Sequence, residues 1–113
     1  MKKDRIPKLL QATLARFIVQ NMPLSTFGAL TTITDVQITP NLSLAKIYFS
    51  FILADKKRDE MDFLKQIEQQ KYTIKKYLAS ELGSRLRILP DIQFHIDHTA
   101  QKAIQMEQVL ANL

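Results

Sequence analysis

The chain contains no cysteine. Disulfides, thiolate zinc sites and cysteine nucleophiles are therefore excluded. With only two glycines, Gly28 and Gly83, it has no material for a phosphate-cradling loop of the GxGxxG or GxxxxGK[ST] type. No stretch approaches the roughly 18 consecutive apolar residues of a membrane helix. The opening MKKDRIPKLLQ carries lysines, but an acidic residue and polar breaks interrupt the apolar residues after them, so no signal peptide and a cytoplasmic location are expected. Internal repeats and low-complexity segments are also missing. What remains is 113 residues, 46% of them hydrophobic and 24% charged. That length and balance suit a single globular domain, residues 1–113, with a real core.

The stretch Ala29 to Leu53 organises that domain. Its first run alternates, with Leu30, Thr32, Thr34, Val36 and Ile38 expected on one face and Thr31, Ile33, Asp35 and Gln37 on the other. The second run alternates with better contrast: Ala45, Ile47, Phe49, Phe51 and Leu53 against Lys46, Tyr48 and Ser50. Between them Thr39-Pro40-Asn41 is a turn signal, proline pre-setting φ at the first central position and Asn tolerating the second. Together these runs predict an antiparallel hairpin. Alone it would be marginal in water, so a third strand and helices on one side must complete it.

The flanks supply both. Ile6, Leu9, Leu10, Thr13, Leu14, Phe17 and Ile18 recur at three- and four-residue steps, predicting a helix over 5–21 with Asp4 as cap and Pro7 in the first turn. Residues 22–28 read as a loop. The mixed-sign run Asp55 to Asp62 reads as a surface helix start. Phe63, Ile67, Ile74, Leu78, Leu82 and Leu86 then keep a helical period over 60–87. The polar centre Glu68-Gln69-Gln70-Lys71 puts a break between residues 69 and 76. After Pro90, Ile92, Phe94 and Ile96 alternate as a third strand, and a short final helix from about Ala100 presents Ala103, Met106, Val109 and Leu110. A crossover of two helices lets strand three join the sheet parallel to a neighbour. The expected fold is α+β, in the order α-β-β-α-α-β, with a three-stranded mixed sheet backed by helices.

Charge is uneven. Residues 1–20 and 71–87 each net +4, while the segments around them are neutral or acidic and the total is +5. Two basic blocks suit a patch that attracts polyphosphate backbones; solvated helix faces are the alternative.

The element order is that of a type II K-homology (KH) fold, and the residues narrow it further. GALTTITDVQITPNLSLAKIYFSF, with Ala45-Lys46-Ile47-Tyr48 in strand two, resembles the signature of the ribosome-binding factor A family. So do Leu82-Gly83-Ser84-Arg85-Leu86-Arg87-Ile88, then Pro90-Asp91-Ile92-Gln93-Phe94 and Asp97, and Arg5-Ile6 ahead of an amphipathic helix. The resemblance implies a non-catalytic protein without cofactor. It would bind the small (30S) ribosomal subunit and its rRNA, assist late maturation of the 16S rRNA at its 5′ end, and support growth in the cold. It also places the family's Ala-x-Gly helix kink on Ile74-Lys75-Lys76, where small residues are absent.

In such a domain lysine and arginine would meet phosphates, base contacts being secondary. The candidate RNA-binding residues are Arg5, Lys8, Lys46, Lys71, Lys75, Lys76, Arg85 and Arg87. Arg5, Lys46 and Arg87 match family positions; Lys71, Lys75 and Lys76 rest on local charge. Tyr48 could stack on a base from the open strand face or pack under a neighbouring side chain. His95, Asp97 and His98 are the one metal-like cluster, which solvated strand-end residues explain as well; no metal site and no catalytic residues are expected. No membrane or small-molecule partner is implied, and nothing demands more than a monomer. Two other classes stay open: a protein-interaction module using a sheet edge or the C-terminal helix, and a small hydrolase.

Overall fold

The computed structural model describes residues 5–54 and 57–99. Its elements run α1 (Ile6–Asn21), α2 (Leu24–Phe27), β1 (Ala29–Ile38), β2 (Leu44–Leu53), α3 (Glu60–Gln69), α4 (Lys71–Leu82) and β3 (Asp91–Ile96). The expected α-β-β-α-α-β order is present, with α2 added. The Asp4 cap and the final helix from Ala100 lie outside the described residues.

The sheet order is β1-β2-β3. β2 pairs antiparallel with β1 and parallel with β3, whose Asp91 lies opposite Leu44. The two-helix crossover thus returns the chain beside the central strand, the connection a parallel pair requires. The described helices α1, α3 and α4 cover one face. α1 packs on β1 and α4, while α3 packs on β2 and β3. Between the layers lie Leu10, Leu14, Ile47, Phe49, Phe63, Ile67, Ile74, Leu82 and Ile92, all essentially inaccessible. Each such side chain contributes about 1.5–3 kcal/mol relative to exposure. The spacing read along 60–87 holds: Phe63, Ile67, Ile74, Leu78, Leu82 and Leu86 are all buried.

Three features differ from the expectation or sharpen it. Residues 24–27 of the expected loop form a one-turn helix, closed by Gly28 at φ 92°. Four residues are too few to show a helical period. Strand β1 is out of phase with its predicted face. A register shift between Ile33 and Asp35 makes Thr34 an extra residue in the ladder. Before it the core side is Ala29 and Ile33; after it, Val36 and half-buried Ile38. Leu30, expected with them, is exposed. An inserted residue reverses the facing of everything beyond it. The helix break falls at Gln70 (φ −96°, ψ 10°), within the expected window but ahead of Ile74-Lys75-Lys76, which lie inside regular α4.

Candidate nucleic-acid interface

One end of the molecule gathers the start of α1, the β1–β2 turn, the segment after α4 and the first residues of β2 and β3. The turn closes with Leu42 N–H donating to Thr39 O (2.9 Å) and Thr39 N–H donating to Leu44 O (3.0 Å). Pro40 and Asn41 take the two central positions. The Asn41 carboxamide oxygen accepts from the Ser43 amide (3.2 Å), the Ser43 hydroxyl (2.7 Å) and the Thr39 hydroxyl (2.8 Å). The next residue, Leu42, carries the left-handed conformation, at φ 60°.

After α4 the chain makes a further turn, the Arg85 and Leu86 amides both donating to Leu82 O at 2.9 Å. Buried Leu86 anchors the segment, which leaves Arg85, Arg87 and Ile88 exposed around it. Between this segment, the β1–β2 turn and Ile6 lies a groove of about 710 Å³. Arg85 and Arg87 line it, no acidic residue does among the described residues, and exposed Arg5 is next in the chain to its Ile6 wall.

The other candidate cations sit elsewhere. Lys71 and Lys75 reach the same oxygen of Asp91, at 3.6 and 2.8 Å. The Lys75 hydrogen bond, helped by the Ile92 amide, holds the Asp91 carboxyl below the usual aspartate range, because both favour its charged form. Lys76 lies over the Tyr72 ring, 5.0 Å from its centroid. Lys46 is on the sheet face opposite α1, α3 and α4, in register with Gln37 and Gln93. Lys8, on α1, faces the β1 edge beside Thr31 and Thr32, whereas Lys71 borders the opposite, β3 edge. The structure therefore brings Arg85 and Arg87 together on one groove, with Arg5 next in the chain to its Ile6 wall, and groups Lys71 with Lys75. It does not join Lys8 to either group. Among the described residues Arg5, Lys8, Lys46, Arg85 and Arg87 form no ion pair, while Lys71 and Lys75 do.

Tyr48 stacks on His95, with ring centroids 5.3 Å apart and planes 26° apart, so packing under a neighbour is what the fold provides. The His95 ring is within hydrogen-bond distance of Gln93 (3.3 Å). Asp97 accepts from the Thr34 hydroxyl (2.7 Å) and the Thr99 amide (3.0 Å). No three described His, Cys, Asp or Glu side chains group as a metal site. The sequence reading missed the groove and two exposed residues beside the cations, Ile88 and Tyr72 (76% and 70% exposed). An apolar residue after Arg85-Leu86-Arg87 was the available signal for Ile88. The groove itself has no local signal, since its walls are contributed by three distant segments.

A family profile described as ribosome-binding factor A matches residues 2–110. The chain belongs to that family. A ribosome-binding factor A from Staphylococcus carnosus is 36% identical over 115 aligned residues, covering all of this chain and 94% of its own length. That of Pelodictyon phaeoclathratiforme is 30% identical over 113 residues, covering all of this chain and 92% of its own. Among solved structures, crystalline ribosome-binding factor A from Thermus thermophilus superposes with a TM-score of 0.68 at 22% identity, over 84% of this chain and 94% of that one. A homology model of the Thermus thermophilus factor, fitted into a cryo-EM map of a 30S complex, gives 0.59 at 22% identity, over 77% and 86%. Those two likenesses establish the family's fold here. No helix among the described residues is long and apolar enough to cross a membrane.

Proposed function

We propose that this protein binds the small (30S) ribosomal subunit through its rRNA and, by that binding, assists late maturation of the 16S rRNA at its 5′ end, including during growth in the cold. It acts in the cytoplasm as a monomeric binding protein of one KH-like domain, without catalysis or cofactor. The observation that carries this reading is the family match across nearly the whole chain, and a relative of the same fold has been fitted into a 30S complex. The distribution of charge supports it. Arg5, Arg85 and Arg87 form a cationic end whose guanidinium groups have no protein counter-ion among the described residues. Arginine's planar fork suits phosphate oxygens. Lys8 at the β1 edge, Lys46 on the sheet face opposite α1, α3 and α4, and Lys76 over Tyr72 add separate contacts, and Lys71 and Lys75 join to the extent that phosphate displaces Asp91.

Sedimentation of the protein with purified 30S subunits tests this. Co-migration with free 30S particles is expected, falling steeply as salt rises because phosphate contacts release counterions. A protein that stays at the top of the gradient at low salt refutes it.

A further inference from the structure

We infer that the groove between the β1–β2 turn and the segment after α4 is a clamp for an unpaired strand of RNA rather than for a duplex. The inference rests on the proposed rRNA binding and names the form of RNA that this site takes.

Four observations lead there. First, the groove is a concavity of about 710 Å³, within the range of sites that enclose parts of small ligands. An A-form duplex is a convex cylinder with its bases stacked inside, and could touch only the rim. Second, the lining combines two kinds of surface. Arg85 and Arg87 supply cations, and Ile6, Ile38, Leu42 and Ile88 supply apolar area. Duplex phosphates have no use for the apolar part. An unstacked strand does, since its bases have apolar faces and its backbone stays charged. Third, charge complementarity is one-sided: among the described residues no acidic side chain lines the groove, and neither guanidinium has a protein counter-ion. Fourth, Leu42 is held at φ 60° on the groove wall, a conformation that costs a branched side chain. Asn41, the residue beside it, tolerates that region better, yet its side chain is committed to holding Thr39 and Ser43. Strain of this kind gathers where a ligand is clamped. It sets an apolar side chain, rather than a polar one, at the mouth.

The test uses the full chain, a labelled oligouridine and the same strand annealed to oligoadenosine, with affinity read by fluorescence anisotropy across a salt series. The single strand should bind at least about tenfold tighter than the duplex. Arg85→Gln with Arg87→Gln removes two phosphate contacts. It should cut the single-strand salt slope by about 1.4 and weaken binding about twenty-five-fold near 0.1 M salt. Arg85→Lys with Arg87→Lys should keep most of the slope. Ile88→Ser should weaken binding about fivefold at unchanged slope. All three positions are exposed, and circular dichroism melts check that the variants fold. Equal affinity for duplex and single strand, or a double glutamine variant with the wild-type slope, overturns the clamp. A photo-crosslinker at position 88, in the complex with 30S subunits, should capture rRNA; an adduct to a ribosomal protein overturns it. If the wild type sediments with 30S subunits while the glutamine variant binds oligouridine normally, the clamp fails and the proposed function stands. If the wild type does not join 30S particles, the proposed function fails on its own account.

Discussion

Replacing Asp91 by asparagine asks whether Lys71 and Lys75 belong to the RNA surface. In the folded protein one carboxylate oxygen lies 2.8 Å from Lys75 and 3.6 Å from Lys71, so the three groups present a net charge of +1. Asparagine keeps the shape and the oxygen that accepts from the Ile92 amide (2.9 Å), and removes only the charge. The cluster then presents +2. If those lysines face phosphate, one further phosphate is neutralised and the magnitude of the log–log salt slope should rise by about 0.7 for single-stranded and 0.9 for double-stranded RNA. Near 0.1 M salt that is about fivefold to eightfold tighter binding, shrinking toward nothing near 1 M. The assay is a filter-binding or anisotropy titration against 16S rRNA or 30S subunits at four or more salt concentrations. An affinity and slope equal to wild type would show that Lys71 and Lys75 never reach the RNA. They would then be a tie between α4 and β3, and the candidate set would reduce to the unpaired cations.

The same aspartate sets a pH signature. Its folded pKa is lowered by Lys75 and the Ile92 amide. The stability it brings is therefore complete above the unfolded aspartate range, about pH 4, and is lost as pH falls through the still lower folded value. At neutral pH the tie is intact, so acid unfolding curves of wild type and Asp91→Asn should converge as pH falls below about 4; curves that stay parallel through that range would show that the tie adds no stability. Phe63 is fully buried against Phe27 (5.1 Å between centroids) and Phe51 (6.0 Å), with the Arg58 guanidinium 4.3 Å from its ring. Phe63→Ala should cost about 3–5 kcal/mol in urea unfolding, a large share of a small domain's stability; a loss under about 1 kcal/mol would mean the α2–α3–β2 corner is not packed this way. Thr34→Val removes the hydroxyl bonded to Asp97 and should cost about 1–2 kcal/mol, read by the same assay; an unchanged midpoint would show that the cross-sheet bond contributes nothing. Asp59 and Asp62 form a reciprocal capping box at the start of α3, at 3.0 and 3.1 Å. Asp59→Ala should cost about 1 kcal/mol, and a stabilised variant would contradict the cap.

The legible parts of this fold are those where one residue type repeats at one period. Ile47, Phe49 and Phe51 on β2, Ile92 and Phe94 on β3, and Ile67, Ile74 and Leu78 along α3 and α4 announce their faces without help, and all are buried. The family was legible too, through residues in order along the whole chain. What could not be read locally depends on distant partners. Lys71 and Lys75 count as two positive charges in the composition; only the folded chain brings Asp91 against both. Lys8 belongs to a basic block in sequence, yet it stands at the β1 edge while Lys71 borders the β3 edge. Net charge per segment thus counts cations, whereas a binding surface depends on which of them remain without a protein counter-ion and on which side they lie.

The misphased strand shows how such a distant contact reaches the proposed site. Thr34 is the extra residue of the β1 ladder, and its hydroxyl bonds to Asp97, 63 positions along the chain. With strict alternation continuing from Ala29 and Ile33, the even-numbered residues beyond would point to the face opposite α1, α3 and α4. Val36 would leave the core, and Ile38 would leave the groove wall it shares with Ile6 and Leu42. The bulge instead turns Val36 and Ile38 back toward the helices just before the Pro40-Asn41 turn. One inserted threonine, held from the far end of β3, thereby gives the groove one of its apolar walls while leaving the arginines after α4 to supply its charge. Loss of the bulge should disturb strand packing and the groove together, so a variant that shifts the β1 register while retaining full oligouridine affinity would separate the two and break this link.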